Sequence, residues 1–348
     1  MAGMSDPGIM SYCASAMLPH LDILQTTAKK INKRKNIEDI HDIRVASRRI
    51  RTCLTIFEEY FPPKKFKTWS KEIKGITNAY GAVRDLDVQI ELLDRIYAKV
   101  IDPKIKSGLR RVRLRLKQQR GKRQVETTNI TQVVIASPAL AELKDWCEKN
   151  INSAAPADQQ TPALYQLGYK NIQHHLDEFL FFEVFVFDPA RVKELHQMRI
   201  AAKRLRYSLE VFSELYTHKS DFALGIARQS QEYLGQIHDA DVWISFLPDF
   251  MEREQNKIRS FYGYGGPFSR LKLGIEFLIK NRQEERRKLY KEFLQEWQKW
   301  KLEETWLNLR KVIFLISFEE NATTPIQTVK QPEVTSKEEN NLNNQESE

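Results

Sequence analysis

Apolar residues recur every three or four positions along most of this chain, which is the spacing of one face of an α-helix. The clearest example is the stretch at residues 41–62, HDIRVASRRIRTCLTIFEEYFP. Its apolar face consists of Ile43, Ala46, Ile50, Leu54 (or Cys53), Phe57 and Phe61. The pattern predicts an amphipathic helix that buries this face and stops at Pro62 and Pro63, with Asp39 as its cap.

The same stretch occurs a second time, 155 residues later and without a gap, as HQMRIAAKRLRYSLEVFSELYT at residues 196–217. Its apolar face consists of Met198, Ala201, Leu205, Leu209 (or Ser208), Phe212 and Tyr216. A second match, at an offset of 154 residues, aligns NAYGAVRDLDV (78–88) with EYLGQIHDADV (232–242). Two ordered matches at almost the same offset predict two copies of one structural unit.

The pattern predicts an all-α fold with an internal duplication. Proline-rich and polar stretches separate the parts of the chain. We expect a disordered N-terminus at residues 1–9, a first copy at 10–123, a connector at 124–162, a second copy at 163–318 and a disordered acidic tail at 319–348. Within the connector, residues 127–138 are expected to be irregular. Gly81 and Gly235 recur inside helices, which suggests close approach to another helix.

A row of basic side chains lies beside the apolar face in both copies. The first row consists of His41, Arg44, Arg48 and Arg51, and the second of His196, Arg199, Lys203 and Arg206. Steps of three and four residues place these groups along one helix side, where like charges repel. A solvated basic face explains one such row, but its recurrence in both copies favours a surface that an anion or facing carboxylates neutralise.

Other charged residues could support these rows. Two further broken basic rows are candidates for secondary contacts, although solvated helices explain them equally well: Arg110, Arg113, Lys117 and Arg120, and Lys272, Lys280 and Arg287. Asp85 and Asp239 occupy matching positions in the two copies. We expect these carboxylates to orient the arginines, the alternative being that they cap a turn.

The charge balance points to an anionic partner. The 348 residues carry a formal net charge of +9, although the segment from Asn321 onward holds five Glu against Lys330 and Lys337. Residues 1–320 therefore carry about +12. A basic body of this kind fits nucleic acid, an acidic membrane surface or a polyanion such as polyphosphate, and the charge alone does not choose among them.

Several classes of protein are disfavoured. Three cysteines, Cys13, Cys53 and Cys147, are far apart and show no metal-binding spacing, so we expect no zinc, no disulfide framework and a reducing compartment. The N-terminus does not show a basic segment followed by a long apolar run, and no apolar run is long enough to span a membrane. We expect a cytoplasmic protein without a metal or cofactor.

The paired motifs resemble those of the CHAD domain family, the conserved histidine α-helical domain. Both copies open with H-x-x-R-V/I-A-x-R/K-R-I/L-R, and each is followed by R/H-D-x-D-V on a second helix. The resemblance covers roughly residues 10–315. It implies two four-helix units related by pseudo-two-fold symmetry, with their basic helices lining a shared central channel. It also implies binding of inorganic polyphosphate and location at polyphosphate granules.

Carried over by motif position, the resemblance assigns polyphosphate binding to the eight residues of the two basic rows. Arg49 and Arg204 match the motif but point away from the rows. Lys203 stands where the first copy has Arg48, which keeps the charge but loses bidentate geometry. We expect binding to weaken with salt and to strengthen from about pH 8 to about pH 6, as histidines protonate beside phosphate. The acidic tail is a candidate contact for granule proteins.

Two other functions stay open at this point. A helical nucleic-acid-binding protein would have the same charge, but its basic residues would face outward. A metal-dependent phosphohydrolase is suggested by His196, His238, Asp239 and Asp241. The first copy has Arg84 in place of His238, and arginine is not a metal ligand. No nucleophile triad or phosphate loop is present, so we expect binding rather than catalysis.

Overall fold

The structure is a computed structural model that describes residues 6–33, 37–153 and 160–320. Within these ranges it contains ten α-helices and no strand, which confirms the all-α prediction. The helices are α1 (Pro7–Lys33), α2 (Ile37–Ile56), α3 (Pro63–Lys99), α4 (Pro103–Ala136), α5 (Pro138–Ser153), α6 (Pro162–Phe181), α7 (Val192–Phe212), α8 (Asp221–Tyr262), α9 (Ser269–Leu302) and α10 (Thr305–Phe314).

Some helix boundaries differ from the sequence prediction. The helix that carries the first basic row ends at Ile56 instead of Pro62, and a short 3-10 segment, Glu58–Tyr60, follows it. Asp39 lies in the first turn of α2 and does not cap it. The expectation that residues 127–138 are irregular is wrong, because α4 continues to Ala136. This extension is helical because Thr127, Thr131 and Val134 bury one face of it.

Three predicted segments fall wholly or partly outside the described residues. They are residues 1–5 of the N-terminus, residues 154–159 of the connector and the tail from residue 321 onward. The described part of the connector is mostly helical, since α5 follows α4 after a single residue and packs against α1. The domain boundaries proposed from the sequence stay predictions.

The predicted apolar faces of α2 and α7 are buried, which confirms the sequence pattern. Phe57 and Phe212 occupy matching positions in the two copies, and their ring centroids lie 5.9 Å apart. Tyr12 of α1 stacks on Phe212 at 6.1 Å. These aromatic contacts join the two copies and help to hold the helix α2 against α7.

The buried apolar residues form two clusters among the described residues, and neither belongs to one copy alone. The larger cluster draws on α1–α3 and α5–α7 together with parts of α4 and α8–α10. The smaller cluster joins one end of the α3–α4 hairpin to one end of the α8–α9 hairpin. The packing does not confirm a division into two four-helix units, and the two-fold relation between the copies stays a prediction.

Helices α4 and α9 cross at two glycines. A Cβ atom on Gly108 would lie 2.3 Å from the carbonyl oxygen of Leu271, and one on Gly274 would lie 2.1 Å from that of Ile105. Only glycine allows the two backbones to approach this closely. The crossing brings α4 and α9 together within the smaller cluster.

No helix in the described ranges combines the length and the apolar character that crossing a bilayer requires.

Candidate anion-binding site

The two predicted basic rows come together in one site, because α2 and α7 contact each other. The pKa of Lys203 in α7 reflects how close the two rows are. Burial of its ammonium group and repulsion from four arginines lower its pKa to about 8, and the four include Arg48 and Arg51 of α2 as well as Arg199 and Arg204 of α7. We call the eight residues of the two rows the basic tract. Positive charges from both copies therefore act on one another within it.

Tyr207 lies between the two copies inside the tract. The Arg48 guanidinium carbon lies 5.0 Å from the centroid of the Tyr207 ring, and that of Arg206 lies 5.7 Å from it. Both distances are within the range of cation–π attraction. Burial lowers the pKa of Arg48, and Arg44 and Arg206 lower it further while Tyr207 opposes the shift. The aromatic ring thus helps to hold two like charges close together.

Much of the charge in the tract lacks a protein counter-ion. In the described part of the chain, Arg48, Arg51, Arg199 and Lys203 form no ion pair. The Nε atoms of Arg48 and Arg199 are shielded from solvent and have no hydrogen-bond partner. Shielded donors without partners are costly. An anion with several oxygen acceptors would relieve both the repulsion and the missing hydrogen bonds.

The two copies expose the tract differently. His41 and Arg51 at the ends of the first row are exposed, while Arg44 and Arg48 are half-buried. All four residues of the second row are half-buried. The second row therefore holds its charges in a less solvated environment than the first.

Two carboxylates lie beside the tract. Arg44 donates a hydrogen bond to Asp85 over 3.3 Å. Partial burial raises the pKa of Asp239, with a contribution from Asp85, while Arg199 and Arg44 oppose the shift. Asp239 forms no ion pair with its neighbours in the described ranges. Arg44, Asp85, Arg199 and Asp239 therefore lie near one another. That Asp85 and Asp239 orient the arginines stays a prediction.

Gly81 and Gly235 do not mark close contacts between helix backbones, so that interpretation of the sequence is wrong. A Cβ atom on Gly81 would meet the Nε atom of Arg44 at 3.7 Å, and one on Gly235 would meet that of Arg199 at 3.7 Å. Both are ordinary van der Waals distances. The glycines present flat surfaces of α3 and α8 against which the matching arginines lie.

Glu210 is a member of the site that the sequence analysis missed. Its carboxylate is nearly buried and accepts from Arg206 over 3.0 Å and from Arg228 over 3.1 Å. It also lies 3.4 Å from a guanidinium nitrogen of Arg49. Glu210 therefore holds Arg206, the last residue of the second row, in place. The first copy has Thr55 at this position.

The signal for the missed residues lay in the differences between the copies. Tyr207 and Glu210 replace threonines of the first copy, and His238 replaces Arg84. Residues that differ between two otherwise matching surfaces give those surfaces different chemistry. The sequence alone does not show which of these differences face the tract.

Arg49 and Arg204, which the sequence places off the rows, each lie beside a histidine of the preceding helix. Burial and Arg49 lower the pKa of His20 to about 4, with Glu210 opposing the shift. Burial also lowers the pKa of His175, where Arg204 is one of the contributing charges. His20 and His175 are 155 residues apart, so this neighbourhood recurs in both copies.

One group within the described ranges could hold a metal ion, namely His174, His175 and Glu178, whose ligand atoms lie within 4.8 Å of one another. Its carboxylate already pairs with Arg204 and lies 3.2 Å from Nδ1 of His175. A metal at this place would compete with Arg204 for the charge of the carboxylate. His196, His238, Asp239 and Asp241, which suggested a phosphohydrolase, do not form such a group within the described ranges, and the carboxylate of Asp241 pairs with Arg286.

The secondary basic residues are mostly engaged by neighbouring side chains. Arg110 donates to the Tyr97 hydroxyl over 2.7 Å, Arg113 pairs with Asp94, and Arg120 bonds the buried Asp87 over 3.0 Å. Lys272 lies 3.6 Å from Glu276, while Lys117, Lys280 and Arg287 are exposed. A contact between these residues and a ligand stays a prediction.

Comparison with known proteins identifies the family. The CHAD domain profile matches residues 15–248, which is well over half of the chain. The chain belongs to the CHAD domain family. CHAD proteins are associated with polyphosphate.

A solved CHAD domain structure agrees with this fold, and a second solved structure has a lower similarity. The crystal structure of the CHAD domain from the plant Ricinus communis has a TM-score of 0.55 and 21% sequence identity, and the match covers 82% of this chain and 88% of that one. PptA from Streptomyces chartreusis has a TM-score of 0.49 and 14% identity, over 84% of this chain and 97% of that one.

A curated relative matches part of this CHAD protein. It is an uncharacterised protein of Mycobacterium tuberculosis (strain CDC 1551 / Oshkosh), 27% identical over 175 residues. The match covers 49% of this chain and 33% of the relative. The chain therefore matches only about a third of the length of that relative.

Proposed function

We propose that this CHAD protein binds inorganic polyphosphate along the basic tract and does not catalyse a reaction on it. The observation that carries the proposal is the convergence of two basic rows whose central cations, Arg48, Arg199 and Lys203, have no counter-ion within the described part of the chain. Charge-assisted hydrogen bonds from such cations to phosphate oxygens are among the stronger polar interactions in proteins. The association of the family with polyphosphate agrees with this choice of anion.

Polyphosphate fits the tract better than a nucleic acid does. Polyphosphate has no bases, so it needs neither stacking platforms nor amide groups that read base edges. Tyr207, the aromatic ring in the tract, is buried and already stacks on Arg48 and Arg206. The half-buried second row favours a flexible strand of phosphates over a rigid duplex.

The cellular role follows from the same proposal. A basic protein that binds polyphosphate would be located in the cytoplasm at polyphosphate granules. The acidic tail lies outside the described residues, and we propose that it contacts other granule proteins.

A binding experiment with matched variants tests the proposal. Polyphosphate binding is measured across a salt series for the wild type, for Arg44→Ala/Arg199→Ala, and for Arg259→Ala/Arg270→Ala. The last pair removes the same two charges from exposed positions at the far end of α8 and the start of α9. We expect the tract variant to lose binding by about tenfold or more, the control to bind nearly as the wild type, and binding to weaken with salt.

Two further measurements, competition by duplex DNA and release of phosphate, distinguish the alternative functions. Excess duplex DNA should leave polyphosphate bound, and displacement by DNA would indicate a nucleic-acid-binding protein. Equal loss of binding in both double variants would show that the whole basic surface acts as a general cation. Release of phosphate from polyphosphate with added divalent metals would contradict the absence of catalysis.

A further inference from the structure

His238 faces His196 at one end of the second basic row. The Nδ1 atoms of the two rings lie 3.0 Å apart, and the ring centroids lie 4.1 Å apart at an interplanar angle of 36°. A hydrogen bond between two Nδ1 atoms needs one proton, because one nitrogen donates and the other accepts. When both rings are protonated, two N–H groups point at each other, so the observed contact belongs to a pair with at least one neutral ring.

The surroundings of the pair favour its uncharged form in the absence of an anion. Burial, Arg199 and Lys203 lower the pKa of His196. Burial, His196 and Arg199 lower the pKa of His238 to about 4. The charged groups that act on the pair are Arg199 and Lys203 of α7. Asp239, which follows His238 on α8, lies near Arg199, near Asp85 of α3 and near Arg44 of α2. Neither of these carboxylates forms an ion pair with either ring within the described residues.

The first copy carries a permanent positive charge at the position that matches His238. The position that matches His238 is Arg84, which is half-buried and forms no ion pair in the part of the chain that the structure describes. His41, which matches His196, is exposed. At this position the first copy therefore carries an arginine whose charge does not depend on pH, and the second copy carries one member of a pair of histidines.

We propose that His238 and Arg84 are further polyphosphate-binding residues beside the tract, at matching positions of the two copies, and that His238 and His196 together take up a proton when phosphate lies against them. This inference rests on the proposed function. An arriving phosphate supplies the negative charge that the surroundings of the pair lack, so it stabilises a protonated ring. Proton uptake then separates the His196–His238 contact and lets the charged ring donate to a phosphate oxygen.

Exchanging the two residues tests the inference. In His238→Arg the second copy becomes permanently charged at this position like the first, and in Arg84→His the first copy gains a residue that can be neutral. His174→Arg, on the outer face of α6, adds the same charge at an exposed position as a control. Polyphosphate binding is measured by calorimetry from about pH 7.5 to about pH 5.5 in buffers of different ionisation enthalpy. Lys203, with a pKa of about 8, is partly neutral at the upper end of this range. Because it is present in every variant, comparison between the variants removes its share of the proton uptake.

We expect the wild type to bind more tightly as the pH falls and to take up a fraction of a proton on binding. His238→Arg should bind about fivefold more tightly at about pH 7.5 and lose most of the uptake, since one charge–phosphate hydrogen bond contributes about 1 kcal/mol or more. Arg84→His should bind more weakly at that pH and gain uptake. His174→Arg should behave as the wild type.

A ligand-free measurement separates this inference from the proposed function. Nitrogen chemical shifts of the labelled imidazoles should show one shared Nδ1 proton and no full protonation of the pair at about pH 6. Two rings that titrate independently near their ordinary pKa would overturn the inference while polyphosphate binding still stands. Unchanged proton uptake in His238→Arg would overturn it as well. A wild type that does not bind polyphosphate would overturn both.

Discussion

Lys203 lies among four arginines. At the scale of one residue, this environment leads to a prediction about how the stability of the protein depends on pH. The Lys203 pKa of about 8 in the folded protein lies below the ordinary value of 10.5. The unfolded chain therefore binds more protons than the folded one between these two values, and the folded protein becomes more stable as the pH rises through this window. Below about pH 8 the full cost of the buried charge is present.

Replacing Lys203 by Met should remove that cost. We expect the free energy of unfolding at about pH 7 to increase by about 1–2 kcal/mol, after allowance for solvent screening. The gain should shrink at about pH 10, where the folded wild-type lysine is already neutral. Urea denaturation at the two pH values checks this. A variant that is less stable than the wild type at neutral pH would show that the ammonium group is stabilised by its surroundings.

For Glu210 we expect the opposite effect on stability, because the three arginines around it need its negative charge. The nearly buried carboxylate lies against Arg206, Arg228 and Arg49. Glu210→Gln leaves these cations without their shared partner and should lower the free energy of unfolding by about 2–3 kcal/mol. Glu252→Gln, at an exposed position of α8, is the control and should change stability little. Similar losses in the two variants would argue against the cluster as a source of stability.

At the scale of elements, the crossing of α4 and α9 depends on the absence of a side chain. Gly108→Ala places a Cβ atom within 2.3 Å of a backbone oxygen, so the helices must separate. We expect a loss of about 2–3 kcal/mol. Gly121→Ala, in the same helix and with nothing within 4 Å of its Cβ position, should be neutral or stabilising by up to about 1 kcal/mol.

Thermal unfolding and hydrogen exchange of α4 and α9 check this pair of variants. Faster exchange in Gly108→Ala should concentrate on the smaller apolar cluster, which contains no residue of the basic tract. Polyphosphate binding should survive at temperatures where the variant is folded. Equal melting temperatures for the two alanine variants would mean that the helices separate at little cost.

At the scale of the whole molecule, the positive charge of residues 1–320 opposes the folded state. The like charges of the basic tract are held together by folding and move apart on unfolding. We therefore expect sodium chloride, raised from about 0.05 M to about 0.5 M, to increase the melting temperature of the free protein by screening this repulsion.

The same salt should reduce the effect of polyphosphate. A ligand that binds only the folded state stabilises it by an amount that grows with the logarithm of the ligand concentration relative to Kd, and salt weakens the binding of a polyanion. Differential scanning fluorimetry with and without polyphosphate across the salt series measures both effects. A free protein that melts at a lower temperature in high salt would show that its ion pairs outweigh the repulsion within the tract.

The sequence by itself determined the helical class, the duplication and the two basic rows. Each of these is a local property, because the positions of one helix face repeat every three to four residues whatever the helix packs against. The apolar faces of α2 and α7 were predicted residue by residue and are buried. The family follows from the same motifs and from the profile match over residues 15–248.

Only the tertiary structure decided how the helices meet. The contact of Arg48 with Tyr207 joins residues of different copies, and no local spacing encodes the rotation of α2 against α7 that creates it. Glu210 belongs to no motif of the sequence, and His238 occurs there only in the second paired motif and in a possible metal-binding set. Both become part of the site because α7 and α8 turn them toward the second basic row. The Gly108–Gly274 crossing depends in the same way on the approach of α4 and α9. Sequence periodicity fixes which face of a helix is buried, while the packing of the complete core fixes which partner that face and its flanking charges meet.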